Sequence, residues 1–207
     1  MARETAAEKL LRMTQIEREY WARGIAVAGI DEVGRGPLAG PVVTACVILP
    51  EDALIPGVDD SKKLSPAKRQ ALSELILDRA SYVGIARVES DVIDEINILE
   101  ATKRAFSMAY EAMPIAVTDV LIDALTGLKI AARQHPTIHG DALSYSIACA
   151  SIIAKVERDR YMQEQDALYP EYGFARNKGY GTAEHIAAIR TYGPCPIHRR
   201  SFLRSYL

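Results

Sequence analysis

The chain has 207 residues, a formal net charge of −2, and an ordinary globular composition with 49% apolar and 25% charged residues. This length indicates one large domain, or one domain with an appendage. No apolar run approaches the roughly 20 residues that a membrane span needs, and the charged segment 1–23 lacks the apolar core of a signal peptide. The three widely spaced cysteines argue against a disulfide framework. We expect a cytoplasmic protein without a membrane segment.

Hydrophobic periodicity divides the rest of the chain into strands and helices. Apolar residues at helical spacing predict a helix over residues 3–22. Strands are predicted at residues 26–30, 42–49, 81–88 and 117–122, with a short strand from Lys129 to Ile130 or beyond. Helices are predicted at residues 66–78, 90–113, 143–168 and 183–192. This order predicts an α/β fold in which helices flank a mixed central β-sheet, with a helical extension at the C-terminus.

The connection between the first two strands indicates how they pair. It contains two glycine–proline pairs, at 36–37 and 40–41, which favour a tight turn between antiparallel neighbours. No break in composition marks a second domain. We therefore expect an N-terminal helical segment, residues 1–24, followed by one domain over residues 25–207.

Two adjacent carboxylates, Asp31 and Glu32, stand at the end of the first predicted strand. Because burying unpaired carboxylates is costly, this position favours a role as ligands for a hard cation such as Mg²⁺ or Mn²⁺. Gly34 and Gly36 bracket Arg35 directly afterwards. The glycines allow backbone to approach a ligand closely, and the guanidinium offers planar donors to phosphate. The segment predicts metal-dependent chemistry on a phosphate backbone.

Two further acids hold comparable positions, Asp123 at the end of the fourth strand and Asp141 before the long helix. Together the four acids suit a two-metal phosphoryl-transfer site, which needs several carboxylates around ions roughly 3.5–4 Å apart. Adjacent strand residues point to opposite faces, so Asp31 and Glu32 share a site only where the strand bends, which the following glycines favour. Taken singly, each of these four acids could equally serve as a turn or helix-cap residue. A further acidic pair, at residues 59–60, lies in a polar loop, and we interpret it as a solvated turn.

The C-terminal part of the chain is positively charged. Residues 171–207 include six basic and two acidic side chains, a local charge of +4, with aromatic residues interleaved. A nucleic-acid-binding surface and a solvated charged tail both explain this pattern. Within this region, His198 lies among cations, and it either contacts phosphate or packs against the protein. Tyr180 lies between two glycines, and it either stacks on a sugar or base or packs against the protein. The charged run 155–160 indicates an exposed helix face of mixed charge.

Rival motifs fail on their context. Gly34, Gly36 and Ala39 match a loose dinucleotide-binding fingerprint, but Pro37 forbids the helix that this fingerprint must open. The sequence has no phosphate-binding loop that ends in Gly-Lys-Ser/Thr, which argues against a nucleotide triphosphatase. The four histidines and three cysteines show no zinc-ligand spacing.

In combination, the segments of this chain resemble bacterial ribonuclease HII. The resemblance runs in order through about residues 25–203. It is carried by the segments 29–43 (GIDEVGRGPLAGPVV), 60–64 (DSKKL), 122–124 (IDA), 140–142 (GDA), 146–156 (SIACASIIAKV), 158–160 (RDR), 173–174 (GF), 178–182 (KGYGT) and 193–202 (GPCPIHRRSF).

The resemblance implies a ribonuclease H-like fold and a metal-dependent endonuclease that hydrolyses the RNA strand of RNA–DNA hybrids. It further implies incision 5′ to a single ribonucleotide embedded in duplex DNA, with 3′-hydroxyl and 5′-phosphate ends. The catalytic and metal-binding acids of the family fall on Asp31, Glu32, Asp123 and Asp141. Mg²⁺ or Mn²⁺ is the implied cofactor, with a two-metal mechanism.

The resemblance also implies how substrate is bound. The element that reads the ribose 2′-hydroxyl falls on Gly34, Arg35 and Gly36, and the tyrosine that packs on the following deoxyribose falls on Tyr180. A 2′-hydroxyl is both donor and acceptor, and it is the group that distinguishes RNA from DNA. We expect phosphates to be held by the helical region of about residues 165–207, which includes His198 and Arg199, together with Lys62 and Lys63.

Some points depart from the family pattern or stay open. Leu143 stands where many members have lysine, which puts a phosphate or acid-pairing contact there in doubt. Only about 24 residues precede the first strand, which favours ribonuclease HII over ribonuclease HIII with its extra N-terminal domain. A non-catalytic hybrid-binding module and a different nuclease of the same fold, such as a junction resolvase, are the alternatives. We expect a monomer; residues 201–207 contain no clear clamp-binding peptide, which leaves a sliding-clamp partner open.

Overall fold

The computed structural model describes residues 4–115 and 117–206, so the predictions for residues 1–3, Ala116 and Leu207 lie outside it. The strands are β1 Val27–Val33, β2 Val42–Ile48, β3 Tyr82–Val88, β4 Asp119–Asp123 and β5 Arg133–Thr137. The helices are α1 Ala6–Met13, α2 Gln15–Trp21, α3 Pro66–Arg79, α4 Ser90–Glu111, α5 Gly140–Leu143, α6 Tyr145–Leu168, α7 Phe174–Asn177 and α8 Ala183–Tyr192. Among the described helices, none combines the length and apolar character that crossing a bilayer requires.

The strands form one mixed sheet in the order β3-β2-β1-β4-β5. β1 pairs antiparallel with β2, as the tight turn between them predicts, and β2 pairs antiparallel with β3. β1, β4 and β5 run parallel to one another. The carboxyl ends of these three strands therefore meet at one edge of the sheet, the place where open α/β sheets bind ligands. The predicted mixed α/β fold is confirmed.

Helices cover both faces of the sheet because strand residues alternate between two cores. On one face, Val43, Ala45 and Val47 of β2 pack with α3 and α6. On the other face, Cys46 and Ile48 of the same strand pack with α4. This alternation follows from the two-residue period of a strand, and a strand that is buried on both faces reads as the continuous apolar run seen in the sequence.

Two glycines allow a helix to lie directly on the sheet. A Cβ atom at Gly29 in β1 would lie 2.2 Å from the backbone of Ser146, at the start of α6. A Cβ atom at Gly84 in β3 would lie 2.0 Å from the carbonyl oxygen of Ala109 in α4. Any side chain at these positions would push the helices away, so the glycines determine how close each layer sits.

The C-terminal region builds a separate core beside the loop that joins β1 and β2. Phe174 of α7 and Ile189 of α8 pack there with Met162 of α6 and with Leu38 from that loop. The helical extension predicted at the C-terminus is therefore attached to the segment that directly follows the acid pair.

Two sequence predictions need correction. The N-terminal helix is interrupted at Thr14, which has ψ near 5° and whose hydroxyl donates to the carbonyl oxygen of Leu10 at 2.9 Å. The short strand predicted from Lys129 to Ile130 or beyond begins only at Arg133, as β5. The side chain of Gln134 bonds both the amide and the carbonyl of Leu128, which holds the preceding segment in a loop. Pro136 is tolerated within β5 because this strand lies at the edge of the sheet.

A buried acid joins the N-terminal helices to the rest of the protein. Glu17 of α2 is fully buried, and its Oε1 accepts hydrogen bonds from the Ser144 hydroxyl (2.6 Å) and the Ser146 amide (2.9 Å) at the start of α6. Its Oε2 has no partner among the described residues. Burial raises the pKa of Glu17 above its ordinary value of 4.5, although the bonds to α6 act in the opposite direction.

We expect Glu17→Ala to lower the free energy of unfolding by roughly 1–3 kcal/mol, because two donors at the start of α6 lose their acceptor. Glu17→Gln keeps an acceptor without a charge. The raised pKa gives a stabilising contribution that is present below pH 4.5 and lost as pH rises through that raised pKa. Urea unfolding at pH 4.5 and pH 8 should therefore show Glu17→Gln gaining stability over the parent protein at the higher pH. An identical pH dependence of both proteins would contradict this account.

Candidate active site

The acid pair lies at the carboxyl end of β1, within a regular stretch of sheet. The pairing with β2 continues through Asp31 and Glu32 to Val33, which lies opposite Val43. The two side chains start on opposite faces of the strand, yet both carboxyl groups lie close enough to one common neighbour for its charge to act on them.

That common neighbour is Asp123. Burial, the nearby Glu32 and then Asp123 raise the pKa of Asp31 well above its ordinary value. Burial also raises the pKa of Glu32. The positive charge of Arg35 lowers this pKa, and the negative charge of Asp123 raises it further. Because Asp123 influences both carboxyl groups, all three share one region of excess negative charge.

The parallel strands beside β1 deliver the other two acids. The register of β1 and β4 places Asp123 next to Asp31. β5 then leads into α5, where the amide of Gly140 donates to Oδ1 of Asp123 at 2.9 Å and Asp141 follows directly. Burial, and then the charges of Asp60 and Asp123, raise the pKa of Asp141. The four predicted acids thus meet at one edge of the sheet.

The donor set fits hard divalent cations. Its carboxylate oxygens are the ligands that Mg²⁺ and Mn²⁺ prefer. The basic side chains beside the acids, Arg35 and Lys62, are fewer than the carboxylates, and metal ions would neutralise the remaining negative charge. Within residues 4–115 and 117–206, no three acidic, histidine or cysteine side chains already enclose a single point as a finished metal cage. Mg²⁺ is usually held by one or two carboxylates together with waters and substrate phosphates, so an open cluster suits phosphoryl transfer.

The predicted lysines lie on a turn beside the acids. The Nζ atom of Lys62 is 3.7 Å from Oδ2 of Asp141, and its side chain is 82% exposed. Burial lowers the pKa of Lys62, but Asp141 and the neighbouring acids outweigh this effect and raise it. Lys63 is also exposed and faces Asp60 at 3.9 Å. Leu143 is an exposed residue of α5.

Arg199 is fully buried, so the predicted phosphate contact of its side chain is wrong. Its guanidinium donates to the carbonyl oxygens of Gly34 (2.5 Å), Arg35 (2.8 Å) and Gly40 (2.8 and 2.9 Å). The C=O and N–H groups of a trans peptide point in opposite directions. Holding these carbonyls therefore turns the amide N–H groups of Arg35 and Gly36 away from Arg199. Burial lowers the pKa of Arg199 to about 9, which leaves it charged at neutral pH.

A second buried arginine, Arg158, was not predicted as a site residue, and the exposed face expected at 155–160 is wrong for it. Its guanidinium donates to the carbonyl oxygens of Ala39 (3.0 Å), Pro41 (3.0 Å) and Lys178 (2.8 Å). The sequence holds one signal for its burial: residues 154, 158 and 162 follow at four-residue spacing, and both neighbours are apolar. Arg158 links the loop after β1 to the segment that precedes Tyr180.

Gly34 and Gly36 are glycines for different reasons. Gly34 has a φ of +98°, and a Cβ atom there would lie 2.3 Å from Nε of Arg158. Gly36 has no such backbone requirement, and among the described residues a Cβ atom there would meet only Cε1 of Tyr180, at 4.0 Å. The fold therefore requires glycine at position 34, whereas at position 36 glycine keeps a space open in front of an exposed tyrosine.

His198 is also buried, at 2% exposure, so direct phosphate contact by its side chain is wrong and the packing alternative holds. Its ring bonds to His185 and to the Cys195 backbone rather than to solvent. His185 is a second residue that sequence reasoning missed. His185 lies in a short helix of the basic region, and the neighbouring residues in the sequence do not indicate that its side chain is buried.

The chain is similar to a family of curated proteins over nearly its whole length. The family model described as Ribonuclease HII matches residues 28–205. Ribonuclease HII from Geobacillus thermodenitrificans (strain NG80-2) is 55% identical over 202 residues, which cover 97% of this chain and 78% of that protein. Ribonuclease HII from Acetivibrio thermocellus is 52% identical over 205 residues, which cover 99% of this chain and 80% of that protein.

Solved structures share the fold. Ribonuclease H2 from Pyrococcus horikoshii OT3 is 29% identical with a TM-score of 0.74, over 88% of this chain and 97% of that one. RNase HII in the PCNA:RNase HII complex from Archaeoglobus fulgidus is 25% identical with a TM-score of 0.71, over 85% and 93%. Bst-RNase HIII in complex with Mn²⁺, at 18% identity, a TM-score of 0.64 and coverage of 82% and 63%, shows the fold alone. The predicted ribonuclease H-like fold is confirmed.

We expect Gly34→Ala to lower the free energy of unfolding by roughly 2–4 kcal/mol, because the new methyl group strains the backbone and strikes Arg158. Gly36→Ala is the matched control. It has room for the methyl group, and its effect should stay below about 0.5 kcal/mol. Urea denaturation of both variants measures the difference, and equal destabilisation at the two positions would overturn the distinction drawn between them.

Proposed function

Because the chain belongs to the ribonuclease HII family, and is thus a ribonuclease H that cuts RNA–DNA substrates, we propose that it incises duplex DNA 5′ to a single embedded ribonucleotide. The products would carry 3′-hydroxyl and 5′-phosphate ends, and the role would be removal of ribonucleotides from DNA during replication and repair. Family membership excludes the alternative of a non-catalytic hybrid-binding module.

The observation that carries this proposal is the closeness of Gly36 to the exposed ring of Tyr180, beside the acid cluster. A Cβ atom at Gly36 would lie 4.0 Å from Cε1 of Tyr180, and this tyrosine is 43% exposed. The loop after β1 begins two residues beyond Glu32, so a sugar bound at this loop would lie next to the carboxylates. A ribose at the loop would present its 2′-hydroxyl to the glycine backbone while its phosphate approaches the acids, and the following sugar would meet the tyrosine ring.

We propose that the amides of Arg35 and Gly36 read the 2′-hydroxyl. Arg199 holds the preceding carbonyls, which directs both N–H groups away from the protein core. In the described part of the chain neither amide has a partner. A donor pair of this kind can meet the oxygen of a 2′-hydroxyl, which a deoxyribose lacks. The Arg35 side chain is 48% exposed and lies 3.7 Å from Glu32, and its remaining N–H donors would contact a neighbouring phosphate.

We propose that the four acids Asp31, Glu32, Asp123 and Asp141 bind Mg²⁺ or Mn²⁺. Such ions would supply activation of water and stabilisation of the leaving oxygen in a two-metal hydrolysis. The chain's own part is to hold Asp31, Glu32 and Asp123 at the ends of paired strands and Asp141 in the helix that follows β5. Asp123 is further oriented by the Gly140 amide, which ties it to the segment that carries Asp141.

The remaining contacts follow from exposure and position. Tyr180 would stack on the deoxyribose after the ribonucleotide, and Lys62 and Lys63 would hold phosphates near Asp141. The region of about residues 165–207 would support the duplex, with segment 1–24 as a helical appendage to the catalytic domain, 25–207.

We also propose that the protein acts as a monomer in the cytoplasm. Its three cysteines are free and buried, which agrees with a reducing compartment.

Replacing Asp31 by Asn should lower cleavage of a one-ribonucleotide duplex at least about a hundredfold, without loss of stability, because a repelled, buried charge is removed. Asp59→Asn is the control: this acid pairs with Lys9, away from the cluster, and its loss should leave the rate unchanged. A gel assay with Mg²⁺, with Mn²⁺ and with chelator measures the effect. Retained activity in Asp31→Asn, or cleavage of branched all-DNA substrates instead, would contradict the proposal.

Replacing Tyr180 by Ala should weaken the transition-state binding of a one-ribonucleotide duplex by about 1–3 kcal/mol, the usual contribution of one stacking aromatic. Tyr192→Ala is the control, since Tyr192 is an exposed tyrosine of the same basic region. kcat/KM on the duplex measures both variants. An equal effect of the two substitutions would remove the stacking role from Tyr180.

A further inference from the structure

The segment Cys195–Arg199 contacts both elements proposed to bind the ribonucleotide, the Gly34–Gly36 loop directly and the segment of Tyr180 through His185. Its backbone is joined to the loop after β1, where the Gly40 amide donates to the Ile197 carbonyl (2.8 Å) and the Arg199 amide donates to the Leu38 carbonyl (2.9 Å). The Arg199 side chain then holds the loop carbonyls described above. His198, between these two anchors, points into the C-terminal core instead, towards the segment that carries Tyr180.

The hydrogen bonds of His198 determine which of its nitrogens carries the proton. The Cys195 amide donates to Nδ1 of His198 at 3.0 Å, so Nδ1 is the unprotonated nitrogen. The Cys195 thiol lies at 3.0 Å from the same atom. Nε2 of His198 therefore carries the hydrogen and donates to Nε2 of His185 at 3.0 Å.

The same reasoning fixes His185. Its Nε2 accepts from His198, so its proton is on Nδ1, which donates to the carbonyl oxygen of Tyr180 at 2.9 Å. The result is a directed relay from the Cys195 amide through two neutral imidazoles to the backbone of Tyr180. Adding a proton to either ring would set two donors against each other and break it.

The surroundings keep both rings neutral. His185 and His198 are buried beside two aromatic rings, those of Tyr172 and Phe174. Burial lowers the pKa of His185. Burial, and then the neighbouring His185, lower the pKa of His198 to about 4. At neutral pH the relay therefore has one stable arrangement of protons.

We propose that His185 and His198 are positioning residues for Tyr180, holding its ring at a set place relative to the Gly34–Gly36 loop, an inference that rests on the proposed function. The turn around Tyr180 is bracketed by glycines, and the tyrosine ring is 43% exposed. Among the described residues, His185 is the side chain that hydrogen-bonds to the Tyr180 backbone. The relay thus connects the Gly34–Gly36 loop, which would bind the ribose, to Tyr180, which would stack on the next sugar.

The test compares two substrates, a duplex with one ribonucleotide and a continuous RNA–DNA hybrid, through the ratio of their kcat/KM values. Only the first places a deoxyribose after the cleaved ribonucleotide. His185→Leu should lower the ratio about tenfold. His185→Asn keeps an amide donor near the Nδ1 position and should lower it at most about threefold. Ile189→Ala, in the same helix and core but outside the relay, should leave the ratio unchanged.

A double-mutant cycle separates positioning from general destabilisation. Combined with Tyr180→Ala, His185→Leu should add less than about twofold to the loss in ratio, since the relay acts through that tyrosine. If the two losses multiply, or Ile189→Ala lowers the ratio equally, the relay proposal is overturned while the proposed function stands. If Tyr180→Ala itself leaves the ratio unchanged, the proposed role of Tyr180 fails and the relay with it. Should His185→Leu not fold, His198→Asn breaks the relay one step earlier and replaces it in the cycle.

Discussion

The burial of two guanidinium charges is the constraint on which the substrate side of this protein depends. A buried charge is tolerated only when hydrogen bonds replace the water that it has lost. Arg158 and Arg199 meet this condition with backbone carbonyls of the loop after β1, and Arg158 adds the carbonyl of Lys178. The loop cannot change shape without leaving one of these charges unsatisfied, so the outward direction of its amides is set before substrate binds.

The acid cluster follows from a different constraint, the direction of neighbouring strands. β1, β4 and β5 are parallel, so their carboxyl ends share an edge; β1 and β4 contribute acids there, and the chain after β5 brings Asp141 to it. Burial and mutual repulsion raise the pKa of Asp31, Glu32 and Asp141, which shows that the folded protein holds these carboxylates together at a cost to its own stability. Such a cost is typical of groups kept for a ligand, because bound cations would relieve the repulsion.

Sequence reasoning succeeded where local pattern is informative and failed where a partner is distant. The acids stood out because carboxylates directly after an apolar strand conflict with burial, and that conflict is visible in a short window. The arginines carried no such sign. A charged residue is usually exposed, so Arg158 and Arg199 were predicted to lie at the surface. Most of their partners lie more than a hundred residues earlier in the chain, in the loop after β1, and the Lys178 carbonyl that Arg158 also bonds lies 20 residues later.

The sequence by itself determined the α/β class, the order of the elements, the acids at the strand ends and, through its motifs, the family. These properties depend on periodicity and on short segments, which neighbouring residues control. Only the tertiary structure decided that Arg199 and His198 face inward, that Gly34 is a steric requirement while Gly36 keeps a space open, and that two histidines support Tyr180. Burial and hydrogen-bond satisfaction depend on atoms that only the fold brings together, and no local pattern encodes them.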